Sequence, residues 1–385
     1  MLRHFPSTPP RGREHFGAPL TALGFKPDFA QTARRFEAWW HGEIIDRPPV
    51  TLSVKRQGAV RSPPARPATL RERWLDVEYV VDSSIAAMEG TTYRGDTLPV
   101  FWPNIGPEIT ATLYGCDLTF GETTSWSSPV IHDPSEWARI ANAAPDFNCV
   151  YWQKCEAMTR LAIDRSAGRY LVGLTDLHGT YDMLAALREP IFLCTDLLDC
   201  PDLVDRAARN VARGFAAAFA RNWALINAAG LGSVSWAPCY HAGPAYIASC
   251  DFWCMVSPAM ARDLVYPTLL TEMHGLERSI FHLDGEQALP HLDLTLSLPG
   301  LNALQWVYGA GHGPAARWLE VYRRARATGK SLQIIATDAA DALTVLRELG
   351  PAGLWFTIDQ EFESAGEAEA FLREVDRVTA QATGR

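Results

Sequence analysis

The sequence predicts a single (β/α)8, or TIM, barrel with an irregular N-terminal extension. From residue 170 onward, short apolar segments of strand type alternate with helical segments, an order that is typical of a parallel sheet. The strand segments are apolar along their length, as expected for strands that are buried on both faces. Roughly eight segments of this type can be counted, which is the number that a closed barrel requires.

A doubly wound open sheet is the alternative architecture. It would carry a glycine-rich phosphate-binding turn directly after its first strand. The segment PPVTLSVKRQGAV, which contains the first predicted strand, has no such turn. The chain has 385 residues, of which 48% are hydrophobic, and this is enough to bury one large core or two of ordinary size.

The first 160 residues are less regular and are expected to decorate the barrel. Residues 1–27 lack an apolar pattern and are predicted to form a flexible arm, so the barrel domain is assigned to residues 28–385. Helices are predicted over 28–41, with Asp28 as a candidate N-cap, and over 70–88. Strands are predicted over 48–55 and 98–102, where β-branched and apolar residues dominate.

The regular part of the chain supplies the remaining elements. Strands are predicted over 170–175, 233–237, 279–283, 301–307, 331–336 and 353–358. Helices are predicted over 201–229, 257–279, 314–328, 339–349 and 365–382. Ser257 followed by Pro258 suits a helix start, and Gly230 and Gly329 suit helix ends.

Composition excludes several classes of function. The formal net charge of −9 and the scattered Lys and Arg residues argue against nucleic acid as a partner. No apolar run approaches the ~18 residues of a membrane span, and the N-terminus lacks the apolar core of a secretory signal. None of the eight cysteines forms a CxxC pair, a pattern of reduced thiols that predicts a cytoplasmic protein.

Polar residues that can bind a metal or move a proton recur where predicted strands end. Among these residues are Asp176, His178, His282 and Asp284; Gln305 ends a predicted strand near His282, and Asp251 lies just before a predicted helix. Barrel enzymes place their chemistry at the carboxyl ends of the strands. A purely structural pattern would scatter such residues over both ends, so their recurrence after strands favours an enzyme over a binding module.

Thirteen tryptophans are many for a chain of this length. Trp126, Trp236 and Trp306 lie in segments that also contain turn residues or strand ends. Aromatic side chains at strand ends often form the walls of pockets, and these three are predicted to contact a substrate. The alternative is that the large rings fill a large core.

Several segments resemble the uroporphyrinogen decarboxylase superfamily, and within it the corrinoid-linked methyltransferases. They are FEAWWHGEIIDRPPV near the start, DLVDRAARNVARGFAAAF in the middle, SIFHLDG, and GLWFTI near the end. The superfamily has a (β/α)8 barrel, which agrees with the pattern of predicted elements. The true decarboxylases grip their substrate with an Arg-rich N-terminal motif, whereas the corresponding segment PVFWPNIGPE contains no arginine. A polycarboxylated porphyrinogen is therefore not expected as the substrate.

The resemblance implies a metal site with a changed ligand set. The related methyltransferases hold zinc through His-x-Cys and a later Cys. Here His282 is kept, Asp284 replaces the first Cys, and no Cys occurs after Cys254. A site made of imidazole and carboxylate is harder than a thiolate site and prefers oxygen or nitrogen partners to a thiol. Zinc or another divalent metal on His282 and Asp284 is one hypothesis.

Two alternatives to a metal remain at this point. His282 and Asp284 are two residues apart on a predicted strand, so they lie on one face and could act as a metal-free acid/base pair. The charged stretch IFHLDGEQALPHLDL could also be a strand followed by a solvated loop.

The resemblance implies a methyltransferase or demethylase that moves a methyl group between a small O- or N-methylated compound and a corrinoid. The chain has no cobalamin-binding DxHxxG motif, so the corrinoid is expected on a separate protein. A metal-free decarboxylase or other lyase that acts on a small acid is the second hypothesis. A non-catalytic ligand-binding protein is the third, and a homodimer is compatible with all of them.

Each candidate residue has an expected role. Asp176, His178 and Asp284 are predicted to be catalytic, and His282 with Asp284 to bind the metal. Contacts with the substrate are predicted for Trp126, Trp236, Asp251, Gln305 and Trp306.

Overall fold

The computed structural model describes residues 20–55 and 62–384. Residues 1–19 of the predicted arm lie outside the described residues. Leu23 and Lys26, in the last part of that arm, are buried, and each accepts a backbone hydrogen bond from the other. The Nζ of Lys26 also donates to the carbonyl oxygen of Gly95 over 2.7 Å. The extension therefore packs on the domain from residue 23 onward.

The described residues contain ten strands and fifteen α-helices. The strands are β1 (Val50–Val54), β2 (Val100–Phe101), β3 (Leu118–Phe120), β4 (Ser125–Ser127), β5 (Leu171–Val172), β6 (Ala245–Ser249), β7 (Arg278–Asp284), β8 (Ala303–Val307), β9 (Ser331–Ala336) and β10 (Leu354–Phe362). The helices are α1 (Phe29–Trp40), α2 (Leu70–Leu75), α3 (Val77–Glu89), α4 (Ile109–Thr112), α5 (Trp137–Asn142), α6 (Val150–Ser166), α7 (Thr180–Arg188), α8 (Pro190–Asp199), α9 (Pro201–Ala228), α10 (Pro258–Met260), α11 (Tyr266–Glu272), α12 (Leu292–Leu296), α13 (Leu319–Ala327), α14 (Ala339–Leu349) and α15 (Ala365–Thr383).

The central sheet has six parallel strands in the order β1-β10-β9-β8-β7-β6. A second pair, β2 and β5, is also parallel, and β3 with β4 forms a small antiparallel hairpin. The architecture is thus mixed α/β with a parallel sheet, as predicted. The pairing ladder joins six strands rather than the eight of the predicted closed barrel.

Hydrogen bonds from residues next to β2 and β5 link the ends of the six-stranded sheet to the β2–β5 pair. At β1, the N–H of Asp96 donates to the carbonyl oxygen of Val50 over 2.6 Å. At β5, the N–H of Leu174 donates to the carbonyl oxygen of Val234 over 2.8 Å, and Ser233 Oγ accepts from the N–H of Ala245 over 2.9 Å. These bonds leave the two sheets adjacent but without a continuous ladder.

The strand predicted over 233–237 is wrong, because the strand of this region is β6, which begins at Ala245. Ser233 forms only an isolated antiparallel bridge with His241. Its hydroxyl donates to the carbonyl oxygen of Gly243 over 2.7 Å and accepts from the N–H of Ala245. The segment is therefore tied to the following loop instead of pairing as a strand.

The helix predicted over 257–279 is also interrupted. Ser257 caps α10 by accepting from the N–H of Met260 over 3.2 Å, as the sequence predicts. A π-turn over Ala261–Val265 separates α10 from α11. Pro267 lies in the first turn of α11, and its missing N–H disrupts the regular hydrogen-bond ladder of a helix. The chain then turns and enters β7 at Arg278.

Aromatic side chains of α1 close the amino-terminal end of the sheet. Trp39 is fully buried, lies 5.4 Å from Trp355 between ring centroids, and donates its Nε1–H to the carbonyl oxygen of Leu332. Leu332 is near the start of β9, so α1 lies at the end of the sheet opposite the carboxyl ends. The other end is left for the site. Within the described residues, no helix combines the length and apolar character that crossing a membrane requires.

Candidate functional site

Two adjacent strands bring three ligand-type side chains together at their carboxyl ends. His282 and Asp284 belong to β7, and Asp251 follows β6 by two residues. Because Ser249 is paired with His282 in the parallel ladder, residue 251 emerges next to the end of β7. One potential ligand atom from each of Asp251, His282 and Asp284 lies within 4.8 Å of the others. We call these three residues the DHD cluster.

A chain of side-chain hydrogen bonds orients His282. Its Nδ1 is hydrogen-bonded to Oε1 of Gln305. The amide nitrogen of Gln305 donates to Oε1 of Gln333 over 2.7 Å, and that of Gln333 donates to Oγ1 of Thr357 over 3.0 Å. An amide oxygen can only accept, so the proton of a neutral His282 is on Nδ1. Nε2 is then the free nitrogen, as a metal ligand requires.

The register of the parallel strands places these hydrogen-bonded side chains side by side. His282 is the ladder partner of Gln305, and Gln305 is the ladder partner of Gln333. Both glutamines are almost completely buried, at 2% and 3% exposed. Buried amides need hydrogen-bond partners, and each of these two amides uses both its oxygen and its nitrogen in the chain. The ring of Trp236 lies edge-on to His282 at 5.2 Å between centroids and covers one side of the imidazole.

Asp182 holds the loop that carries Asp251. It lies in the first turn of α7, and its Oδ1 accepts from the N–H of Phe252 over 2.8 Å. Its Oδ2 has no hydrogen-bond partner, although the residue is only 8% exposed. Burial raises the pKa of Asp182 to about 6, and Asp251 adds to the rise, whereas the charge of His178 opposes it.

Two buried residues position the segment that carries Asp176 and His178. The hydroxyl of Tyr246 accepts from the N–H of Leu177 over 2.6 Å and donates to the carbonyl oxygen of Thr175 over 3.0 Å. Glu272 of α11 accepts from the N–H of Thr180 over 2.7 Å. Gly179 packs so tightly that a Cβ there would lie 2.3 Å from the carbonyl oxygen of Ser249.

The electrostatics of the site are dominated by carboxyl groups. Burial disfavours the charged form of His178, but Asp176, Asp182, Asp251 and Glu108 outweigh burial and raise its pKa. Burial raises the pKa of Asp176, while His178 and His282 act in the opposite direction.

The carboxyl of Asp284 follows the same pattern. Burial raises the pKa of Asp284, His282 opposes the rise, and Asp251 supports it. Excess carboxylate charge in a half-buried site favours the arrival of a cation.

Two cavities border this end of the sheet. One of about 290 Å³ is lined by Glu108, His178, Asp182 and Asp251, together with the apolar side chains of Phe252 and Met255. The other, of about 680 Å³, lies at the ends of β8, β9 and β10, where Gly309, Thr337, Asp338 and Asp359 contribute to its wall. The DHD cluster shares Asp251 with the smaller cavity.

The structure brings most of the predicted site residues to one place and leaves two outside it. Those that meet around the DHD cluster are Asp176, His178, Trp236, Asp251, His282, Asp284 and Gln305. Trp306 is fully buried on the opposite face of β8 from Gln305 and contacts Trp318 at 5.2 Å between centroids. Trp126 is 50% exposed on the β3–β4 hairpin, which is separate from the six-stranded sheet.

Sequence reasoning missed Asp182, Gln333 and Glu108. Gln333 was detectable, because it is a polar residue inside the apolar strand segment SLQIIA, as Gln305 is inside LNALQWV. Asp182 ends the polar segment DLHGTYD that follows β5. For Glu108 no sequence pattern gives a signal, since it reaches the cavity from the loop before α4.

Two carboxylates and one imidazole form a ligand set with hard character. Such a set suits a divalent metal and leaves coordination positions for an oxygen or nitrogen atom of a substrate. The residues present therefore fit a metal: the atoms converge, Nε2 of His282 is free, and Gln305 provides the outer partner that metal-bound histidines usually have.

No known protein family matches the sequence, and no curated protein matches it. Among solved structures, the fold is similar to that of a methyltransferase from Methanosarcina mazei, with a TM-score of 0.59 and 13% identity over 90% of this chain and 98% of that chain. A B12-independent methionine synthase from Shewanella sp. W3-18-1, in complex with selenomethionine, matches with a TM-score of 0.38 and 11% identity, covering 88% of this chain and 98% of that one. The first similarity supports a TIM-like fold.

Proposed function

We propose that this chain is a metal-dependent methyltransferase or demethylase. It would move a methyl group between a small O- or N-methylated compound and a corrinoid that is carried by a separate protein. One observation carries the proposal: the DHD cluster forms at the carboxyl ends of parallel strands, in a fold similar to that of a methyltransferase. The segment SIFHLDG, which supplies His282 and Asp284, is also the one that resembles the zinc-binding strand of corrinoid-linked methyltransferases.

We further propose that the eight parallel strands, which are all strands except the β3–β4 hairpin, close into a barrel. The backbone hydrogen bonds from Asp96 to Val50 and from Leu174 to Val234 support this arrangement, because they lie at the two places where the ladder is broken. In a barrel the DHD cluster lies at the mouth, where TIM-barrel enzymes place their active sites.

Asp251, His282 and Asp284 would hold the metal, which acts as a Lewis acid on the heteroatom that carries the methyl group. Gln305 keeps the Nδ1 proton of His282 in place, so that Nε2 would be free to bind the metal. Trp236 shields one side of the imidazole from water. In demethylation the methyl–heteroatom bond would break with its electron pair left on the heteroatom, and a corrinoid on the partner protein would supply the nucleophilic electron pair that accepts the methyl group.

His178 is the proposed proton donor to the leaving heteroatom, with Asp176 as its electrostatic partner. The carboxyl groups around His178 raise its pKa, so they favour its protonated form. Tyr246 holds this segment in place through the backbone on both sides of Asp176.

Methyl transfer to free cob(I)alamin tests the proposal. The protein is mixed under anaerobic conditions with zinc or manganese, cob(I)alamin and a panel of O- and N-methylated compounds, and methylcob(III)alamin is followed by its absorbance. We expect its formation with at least one compound, dependent on metal and lost in His282→Ala. An exposed control variant, Asp293→Ala, keeps the activity.

A metal-free lyase is the second candidate, and the raised pKa values of Asp176 and His178 favour it, because groups that hold a proton more strongly suit general acid catalysis. A lyase of this kind would release carbon dioxide or another fragment from a small acid. The rate of this reaction would not change when metals are removed by a chelator. That result, together with no methyl transfer, would replace the first proposal.

A further inference from the structure

The cavity beside the DHD cluster has a composition that selects the charge of its ligand. Three carboxyl groups, from Glu108, Asp182 and Asp251, face one imidazole, from His178. Among the described residues that line the cavity, none is Lys or Arg. The volume of about 290 Å³ is at the lower end of the range for small-molecule sites and suits a ligand of a few heavy atoms.

Asp182 gives this cavity an unsatisfied acceptor. The residue is 8% exposed, its Oδ1 accepts from the N–H of Phe252 over 2.8 Å, and its Oδ2 has no partner. A buried carboxylate oxygen without a donor is costly, and a positive charge in the cavity offsets that cost by electrostatic attraction. This acceptor is independent evidence for a ligand, beyond the number of acidic groups.

The shape of the polar lining favours an organic cation over a second metal ion. Among the described residues, the ligand atoms that converge closely enough to hold a metal belong to Asp251, His282 and Asp284, and those of Asp182, His178 and Glu108 do not join such a group. The remaining wall is apolar, with Phe252 and the half-exposed Met255. Carbon substituents on a charged nitrogen can pack against such a wall, whereas a bare metal ion gains nothing from it.

We propose that this cavity is a subsite for an organic ammonium ion, and that the substrate of the enzyme carries such a group. The binding of an ammonium ion is inferred from the cavity itself. That the bound molecule is a substrate rests on the proposed function. Asp251 lines both the cavity and the DHD cluster, so an ammonium group bound there places the rest of a small molecule next to the metal. Such a subsite would restrict the substrate to amines and quaternary ammonium compounds among the O- and N-methylated compounds.

The test compares two ligands of nearly equal shape and different charge. Choline and 3,3-dimethylbutan-1-ol share a skeleton, with a charged nitrogen in the first and a neutral carbon in the second. Binding to the full-length, metal-free protein is measured by isothermal titration calorimetry. We expect choline to bind at least about tenfold more tightly than the neutral alcohol, an advantage of about 1.4 kcal/mol or more.

Three variants locate the binding. Asp182→Asn keeps the shape and removes the charge, and it should weaken choline binding by about tenfold or more. Met255→Lys places an ammonium group at the cavity wall; because Met255 is 48% exposed, the change should leave the fold intact and abolish choline binding. Asp202→Asn, an exposed position at the start of α9, is the matched control and should bind choline as the parent protein does.

Three outcomes would overturn the subsite: equal affinity for the two ligands, no choline binding, or choline binding that survives both Asp182→Asn and Met255→Lys. A manganese ion that is lost in Asp182→Asn and retained in Asp284→Ala would also overturn it, in favour of a second metal site. The assay needs no metal, corrinoid or turnover. Choline binding without any methyl transfer would contradict the proposed function alone, and methyl transfer without choline preference would contradict the subsite alone.

Discussion

His282 and Gln305 are ladder partners on adjacent parallel strands, and the Nδ1 of His282 is hydrogen-bonded to Oε1 of Gln305. The amide of Gln305 is itself held by Gln333 over 2.7 Å, so the imidazole is oriented by the register of the sheet rather than by a loop. Outer partners of this kind fix the tautomer of metal-bound histidines and contribute to affinity. The sheet itself therefore prepares His282 for its proposed role.

Gln305→Leu should lower the affinity for zinc or manganese by about 10- to 100-fold, because Nδ1 of His282 loses its acceptor and the imidazole loses its orientation. Gln305→Glu keeps an acceptor at the same place and should retain most of the affinity. Competition with a chromogenic chelator measures both changes, and Gln287→Leu, an exposed position, is the control. Unchanged affinity in Gln305→Leu would show that His282 does not depend on this partner.

Asp284→Cys should shift the metal preference of the site towards soft ions. A thiolate binds cadmium and zinc better than it binds manganese, whereas a carboxylate suits manganese. We expect the ratio of cadmium to manganese affinity to rise by about tenfold or more relative to the parent protein. Asp293→Cys adds a thiol at a position whose side chain is 83% exposed and ion-paired with Arg324, and it should leave the ratio unchanged. The same ratio in both variants would argue against Asp284 as a ligand.

Glu272→Gln should flatten the dependence of stability on pH. Burial raises the pKa of Glu272 to about 8, against the hydrogen bonds from Thr180, which lower it. The folded protein therefore keeps a proton that the unfolded chain releases above pH ~4.3, and its stability falls as pH rises through this window to about 8. This contribution is at most about 1.4 kcal/mol per pH unit.

Urea unfolding of the parent protein and of Glu272→Gln at several pH values between 5 and 8 measures the difference. The exposed Glu320→Gln is the control, and it should follow the parent protein at every pH. Parallel curves for Glu272→Gln and the parent protein would mean that Glu272 is ionised in the folded state.

Trp306→Phe should reduce stability and leave metal affinity unchanged. Trp306 is fully buried against Trp318, on the face of β8 that points away from the DHD cluster. Removing part of a buried ring costs about 1–3 kcal/mol in the free energy of unfolding. Urea unfolding and metal titration of the same preparation check both parts. A large loss of metal affinity in folded Trp306→Phe would show that Trp306 contributes to the metal site.

The sequence allowed the regular elements to be predicted where an apolar run has clear ends. The strand 331–336 and the helix 339–349 are confirmed residue for residue, and Asp338 caps the helix by accepting from the N–H of Asp341 over 2.9 Å. The strand predicted over 233–237 was wrong, because the hydroxyl of Ser233 ties this segment to the following loop. The local sequence alone does not show whether a pairing partner is available.

Only those residues of the candidate site that lie close together along the chain could be predicted as a group from the sequence. His282 and Asp284 follow from their spacing on one strand. The contribution of Gln333 requires the register of three strands, and that of Asp182 requires the approach of α7 to the loop after β6. Trp306 was predicted to contact a substrate because aromatic side chains at strand ends often form pocket walls, yet it lies on the opposite face of β8 from Gln305.

The metal content of the purified, untagged protein tests the proposed site most directly. Elemental analysis of the parent protein after incubation with zinc is compared with that of the His282→Ala/Asp284→Ala double variant, and circular dichroism confirms that both are folded. We expect about one divalent metal per chain in the parent protein and none bound stoichiometrically in the variant. A metal-free parent protein, or equal metal in both proteins, would contradict the DHD cluster as a metal site.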